Sequence, residues 1–235
     1  MKQLYIHHHT GIGDHICLKG AVSHIKETSE YEKINIFCKK QSLHLLNVLY
    51  NDDKRYCLIP IDPRNLEEEI EQVHLKLQEE AQQQEISFLR VGFNDYREVA
   101  GKSCDETFYE MMGIPYQYRF TKFNFIRDYN REEEIYAELE LKKGEYIFIH
   151  DDADNGYPIS VETDIKIIKN DISKNFFYFG KLFENAREIH CMESSIRCLL
   201  EFYDLNNVDL YCYPNLRGTL PGNKVTSRQN WNMVD

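Results

Sequence analysis

The sequence predicts an α/β protein built on parallel β-sheets, and three observations support this fold class. Short apolar segments alternate with helical segments along most of the chain. The spacing of these apolar segments favours right-handed βαβ units. Glycine or proline follows several of them, as expected where strands end.

The alternation occurs twice and predicts two Rossmann-like halves. We expect an N-terminal domain at residues 1–95, a connecting region at 96–131 and a C-terminal domain at 132–235. The first domain has predicted strands at 4–9, 33–38, 55–61 and 85–91 and helices at 16–27, 42–50 and 66–84. A short helix is predicted at 109–115. The second domain has predicted strands at 146–150, 165–168, 188–192 and 208–213 and helices at 132–141, 179–185 and 194–203.

Composition excludes several classes of protein. The net charge of −11 argues against nucleic acid as a partner, because binding a phosphate backbone needs a clustered basic surface. The seven cysteines show no Cys-x-x-Cys spacing, which is typical of reduced core residues. Neither a transmembrane span nor a signal peptide is predicted. We therefore expect a soluble protein of the cytoplasm, with a tail at 215–235 that is either mobile or packed along the other half.

The first strand leads into the most informative motif of the chain. It ends at a Gly-x-Gly turn formed by Gly11 and Gly13, and Asp14 follows where the strand gives way to a helix. Ligands of open α/β sheets collect at such strand ends, where a helix start offers free N–H groups. Asp14 is a candidate general base, or alternatively an N-cap that stabilises the helix.

The motif Gly13-Asp14 and its following helix resemble the start of heptosyltransferase-like enzymes, the ADP-heptose:LPS heptosyltransferase superfamily of GT-B glycosyltransferases. The segment from Glu188 to Leu200 resembles the family's late strand, acidic turn and helix. This resemblance implies a short version of the GT-B fold, in which the parallel sheets of two domains face each other across a cleft.

The resemblance also implies a function. It predicts glycosyl transfer from a nucleotide-diphosphate sugar to a glycan or other hydroxyl acceptor, with inversion and without a metal or other cofactor. Asp14 would be the catalytic base. Ser194 and Ser195 would bind the donor's diphosphate at a helix start, with Arg197 as a charged donor and Glu193 near a sugar or ribose hydroxyl. As an alternative, the two serines act only as helix caps.

Histidine and aspartate residues suggest further cleft-lining groups and one rival function. Gly11, Gly13, His9, His15, His150 and Asp151 are predicted to line the cleft. The rival is a metal-dependent hydrolase that uses His7, His9, Asp14, His150 and Asp152. A non-catalytic nucleotide- or glycan-binding module is the third possibility. His7 and His9 are predicted on one face of the first strand, and the acidic helix at 67–80 is interpreted as a solvated face.

Overall fold

The chain folds into two compact units, Met1–Ile126 and Arg127–Asp235, each built around one parallel sheet. We analysed a computed structural model that describes residues 2–92, 102–216 and 226–234. The α/β class with two parallel sheets is therefore confirmed. None of the helices in these three ranges is both long enough and apolar enough to cross a membrane.

The described part of the first unit has a sheet in the order β3-β2-β1-β4. Its strands and helices are β1 Gln3–His7, α1 Ile12–Thr28, β2 Lys33–Lys39, α2 Leu43–Leu49, β3 Tyr56–Ile61, α3 Leu66–Ala81, β4 Ile86–Arg90, α4 Cys104–Met111 and α5 Tyr118–Thr121. All five residues of β1 are buried, as expected for a central strand covered on both faces. Pro60 lies within β3, where an edge strand tolerates the missing N–H donor.

Helix α1 begins earlier than predicted. It starts at Ile12 instead of residue 16, and its N-cap is Gly11, which has no side chain to cap the helix. Asp14 therefore lies inside the first turn, and the interpretation of Asp14 as an N-cap is wrong. Gly20 of the same helix packs so closely on α5 that a β-carbon there would overlap the backbone carbonyl of Tyr118.

Residues 102–126 pack against α1 in the first unit. Helix α4 is longer and starts earlier than the short helix predicted at 109–115. The hydroxyl of Tyr109 donates to the carbonyl oxygen of Cys17 at 3.0 Å and accepts from the N–H of Ala21 at 3.0 Å. These contacts fix α4 on α1. The predicted connecting region begins at residue 96, and its residues up to 101 lie outside the described ranges.

The described part of the second unit has five parallel strands in the order β6-β5-β7-β8-β9. Its elements are α6 Tyr129–Glu138, β5 Tyr146–His150, β6 Lys166–Lys169, α7 Gly180–Glu184, β7 Glu188–Met192, α8 Ser195–Leu200, β8 Asp209–Tyr213 and β9 Trp231–Met233. Strands β5 and β7 have the bounds that the sequence predicts. Among the seven unpaired cysteines, Cys191 and Cys212 are buried in adjacent strands of this sheet, whereas Cys57 of the first unit is exposed.

The end of the chain corrects one expectation. Residues 231–233 form the strand β9 and pair with β8 of their own sheet. The buried carboxylate of Glu201 holds this segment. It accepts hydrogen bonds from Ser227 Oγ at 2.7 Å, the Arg228 N–H at 2.7 Å and Trp231 Nε1 at 3.0 Å. Residues 217–225 lie outside the described ranges.

We expect Glu201→Ala to destabilise the second unit by about 3–5 kcal/mol, because it removes the nearer and fully buried ion-pair partner of the buried Arg197. Hydrogen exchange at residues 231–233 should become faster, since the tail loses its anchor. Glu133→Ala is the control, because Glu133 forms only a surface ion pair with Lys181 and should cost less than about 1 kcal/mol. Equal losses in the two variants, measured by urea unfolding, would contradict this account.

Candidate active site

A cavity of about 490 Å³ opens at the carboxyl edge of the first sheet. The ends of parallel strands meet at this edge, so the loops after β1, β2 and β3 all reach it. Polar and charged groups from these loops surround the cavity together with the start of α3. Its lining residues are His9, Thr10, Gly11, Lys39, Pro63, Arg64, Asn65, Leu66 and Glu69.

The carboxylate of Asp14 lies directly against Gly11, a residue of the cavity wall. A β-carbon at Gly11 would be only 2.6 Å from Asp14 Oδ2, so any side chain at position 11 would clash with the carboxylate where it now lies. The nearby backbone N–H groups of Gly11 and Asp14 lower the pKa of this carboxylate. Within the described ranges, no lysine, arginine or histidine forms an ion pair with it.

Burial raises the pKa of the Asp14 carboxyl from its ordinary value of 3.8 to about 7. The negative charge of Asp105 adds to this rise, while the two N–H groups and the charge of Lys39 oppose it. A carboxyl with this pKa is partly ionised at neutral pH. It can therefore accept a proton from a reacting hydroxyl group, which is the requirement for a general base.

Asp14→Asn is expected to stabilise the first unit at neutral pH. The folded-state pKa lies above that of the unfolded chain, so the stability of the wild type falls as the pH rises from about 4 to about 7. Asparagine buries no charge, so its advantage should be absent near pH 4 and largest above pH 7. Urea unfolding at pH 4.5, 6 and 8 measures the difference, with the exposed Asp62→Asn as control. A gain independent of pH would refute the argument.

The three consecutive histidines have separate surroundings, which corrects the prediction that His7 and His9 share a face. The ring of His7 bonds to Glu69 at 3.2 Å, whereas the ring of His9 packs edge-on against Phe108 with centroids 5.3 Å apart. His8 is fully buried and contacts His15 with ring centroids 4.3 Å apart.

His15 does not line the cavity. It is fully buried, and its Nδ1 lies 3.3 Å from the hydroxyl of Tyr50. Burial lowers the pKa of His8 to about 4 and lowers the pKa of His15 well below its usual range. Both rings are therefore neutral at physiological pH and belong to the core beneath α1.

Sequence reasoning missed five polar residues of the cavity wall: Thr10, Lys39, Arg64, Asn65 and Glu69. The interpretation of the acidic helix as a wholly solvated face is wrong at Glu69, which is buried. A signal for this burial exists in the sequence. Glu69 and Val73 are four residues apart, so they share one face of α3, and both are buried.

In the second unit, Ser194 is the N-cap of α8, and its Oγ accepts the Arg197 N–H at 3.3 Å. Arg197 contradicts its predicted role as an accessible donor. Its side chain is 1% exposed, its Nη1 lies 2.5 Å from Glu201 Oε1, and its guanidinium stacks on Trp231 at 4.9 Å. Glu193 Oε2 lies 3.8 Å from Arg197 Nε. Arg197 thus serves the packing of α8 and the tail.

Three cleft candidates remain: Gly13 lies in the first turn of α1 and does not line the cavity, and the other two lie at the end of β5 in the second unit. His150 is buried, and Asp151 closes the loop that follows. The carboxylate of Asp151 accepts the Ile159 N–H at 3.0 Å and bonds to Lys169 Nζ at 2.7 Å. Asp151 therefore has a structural role in this unit.

The residues named for a metal site do not form one cluster in either unit. His7, His9 and Asp14 belong to the first unit, whereas His150 and Asp152 belong to the second. In the described ranges, no three histidine, cysteine, aspartate or glutamate side chains are placed to hold a metal ion.

Comparison with known proteins yields structural relatives. No family model matches the sequence, and no curated protein matches it significantly. The structure is similar to that of a glycosyl transferase family 9 protein from Veillonella parvula, with a TM-score of 0.60 and 9% identity over 90% of this chain and 80% of the other. It is also similar to E. coli ADP-heptose LPS heptosyltransferase II, with a TM-score of 0.58 and 12% identity over 100% and 90% of the two chains.

These similarities show the fold. The chain has the α/β architecture of heptosyltransferase-like GT-B proteins, so the resemblance drawn from Gly13-Asp14 and from the segment 188–200 is confirmed at the level of fold. The comparisons do not extend to the roles of individual residues, because identities of 9% and 12% are too low to carry them.

Proposed function

We propose that this protein is a glycosyltransferase that uses Asp14 as its general base. The observation that carries the proposal is the Asp14 carboxylate, which is half-buried beside the cavity of the first unit, has no ion-pair partner among the described residues and has a pKa of about 7. The fold shared with two glycosyltransferase structures supports the same class of reaction.

In the proposed reaction, an acceptor hydroxyl group occupies the cavity of the first unit. Thr10, Lys39, Asn65 and Glu69 offer hydrogen-bonding groups for a polar acceptor. Asp14 removes the hydroxyl proton while the oxygen attacks the anomeric carbon of the sugar. The bond between that carbon and the diphosphate breaks, and the diphosphate leaves with the electron pair. Attack opposite to the leaving group inverts the anomeric carbon.

The proposed donor is a nucleotide-diphosphate sugar bound by the second unit. This part of the proposal rests on the resemblance of residues 188–200 to the donor-binding motif of the family. Ser195 begins α8 and is partly exposed, so its hydroxyl and the nearby N–H groups can face a phosphate. Arg197 is excluded from this role by its burial, and we propose that transfer needs no metal ion.

Asp14→Asn should lower transfer by about 10²-fold or more, the loss expected when a general base is removed. Wild-type transfer should rise with pH through about 7, because Asp14 accepts a proton only when ionised. The assay measures release of nucleoside diphosphate from ADP-, GDP- and UDP-sugars with glycan acceptors. Asp171→Asn, on an exposed turn of the second unit, is the control. Unchanged turnover in Asp14→Asn would remove Asp14 from the mechanism.

Nucleoside diphosphates should raise the melting temperature equally with and without EDTA. At about 100 times Kd, one bound ligand stabilises the folded state by about 2.7 kcal/mol. Ser195→Leu should reduce the rise in melting temperature, although Ser194 still caps α8. The control Ser160→Leu, at an exposed position, should leave the rise unchanged.

No rise in melting temperature with any of ADP, GDP or UDP, combined with destabilisation by EDTA alone, would favour a metal-dependent hydrolase. Binding without turnover of any sugar donor would favour a non-catalytic module.

A further inference from the structure

Glu69 presents an ionised carboxylate to the cavity of the first unit. It lines the cavity, although only 8% of its side chain is exposed. Burial alone would raise the pKa of Glu69, but the hydrogen bonds from His7 and Thr10 and the charge of Lys39 lower it below its usual value. The carboxyl group is therefore ionised at neutral pH.

Two hydrogen bonds fix the orientation of this carboxylate. Its Oε1 lies 3.2 Å from His7 Nε2, and its Oε2 accepts from Thr10 Oγ1 at 3.1 Å. A carboxylate oxygen can accept two hydrogen bonds, so each oxygen of Glu69 keeps the capacity for one more. Two neighbouring hydroxyl groups of a sugar ring are donors that one carboxylate can accept together, and hydrogen bonds to an ionised acceptor are stronger than neutral ones.

The lysine and the arginine of the cavity wall already interact with carboxylates. Arg64 Nε donates to Glu68 Oε2 at 3.1 Å, and the Arg64 side chain is 87% exposed. The charge of Lys39 acts on both Asp14 and Glu69. An acceptor with a phosphate or carboxylate group would therefore meet cations whose charge is already compensated, and the charge of Glu69 would repel it.

The start of α3, which also borders the cavity, is unfavourable for an anion. A helix start usually attracts anions through its free N–H groups and the positive end of its dipole. Here the first turn carries Glu67, Glu68 and Glu69, and the side chain of Asn65 accepts the Glu68 N–H at 3.0 Å. Three negative charges offset the positive end of the dipole, so the cavity favours hydroxyl groups over anionic groups.

We propose that the acceptor is a neutral, hydroxyl-rich sugar, without phosphate or carboxylate groups, and that Glu69 selects it by accepting hydrogen bonds from neighbouring hydroxyl groups. Glu69 is thus a specificity-determining residue that contacts the acceptor and takes no part in proton transfer. This inference rests on the proposed function, because it names the class of acceptor for the same cavity.

The test is the binding of the purified protein, without any donor, to an array of neutral glycans and of the same glycans carrying phosphate or uronic acid groups. We expect the wild type to bind neutral glycans and to bind their acidic counterparts about tenfold or more weakly, because like charges then meet in the cavity.

Glu69→Gln should change the binding of the two classes in different directions. Glutamine has the same shape and can keep both contacts, since its oxygen accepts from Thr10 and its N–H group can donate to His7 in the other tautomer. Binding of neutral glycans should weaken about tenfold, because hydrogen bonds to a charged acceptor are lost. Binding of acidic glycans should stay the same or strengthen, because one negative charge is gone. A general disruption of the cavity would weaken both classes.

Glu67→Gln is the matched control, because it removes the same charge from the same helical turn at an exposed position outside the cavity wall. It should leave the binding of both classes unchanged. Glu69→Asp is the second variant, which keeps the charge on a side chain one methylene shorter. It should weaken the binding of neutral glycans and still reject acidic ones.

A wild type that prefers acidic glycans, or that binds no neutral glycan, would overturn the inference. An equal loss of both classes in Glu69→Gln, or the same change in Glu67→Gln, would also overturn it. The array needs neither donor nor turnover, so the two proposals fail separately. Binding of neutral glycans without turnover of any sugar donor would reject the transferase and keep the acceptor class. Turnover with acidic acceptors alone would keep the transferase and reject the acceptor class.

Discussion

Hydrogen bonding between buried parallel strands is the constraint on which both units depend. Strands β1 and β5 lie inside their sheets, and every residue of each is buried. Their backbone groups must therefore pair with neighbouring strands, because no water reaches them. Parallel pairing places the carboxyl ends of all strands at one edge of each sheet. In the first unit, the loop from His8 to Gly11 lies at this edge beside the residues that follow β2 and β3.

Buried charges in this protein follow two different patterns. Most are paired: Arg197 with Glu201, Lys19 with Asp52 and Arg119 with Asp105. Pairing compensates for the lost hydration, and these groups lock helices onto their neighbours. Asp14, which is half-buried, differs because no lysine, arginine or histidine among the described residues forms an ion pair with it. A partly desolvated carboxylate without an ion pair lowers the stability of the folded protein and has a raised pKa. Catalytic groups often have such perturbed pKa values.

Proximity to a strand end does not make a residue part of a site. Asp14 and Asp151 both follow a central strand of their unit. The carboxylate of Asp151 accepts hydrogen bonds from Lys169 at the end of β6 and from the Ile159 N–H, so its charge is already paired. Asp14 has no such ion pair among the described residues. The difference lies in what surrounds each carboxylate and not in its place along the chain.

The sequence by itself determined the fold class and the positions of the main strands. These features are readable because apolar periodicity and glycine preferences act between residues close in the chain. Strands 146–150 and 188–192 were predicted with their observed bounds, while helix starts such as that of α1 moved by several residues. Only the tertiary structure decided that Glu69 and Arg197 are buried, that His15 belongs to the core and that Asp14 is without an ion pair among the described residues. A charged side chain loses its contact with water when elements distant in the sequence pack over it. A local sequence pattern does not specify which elements will do so.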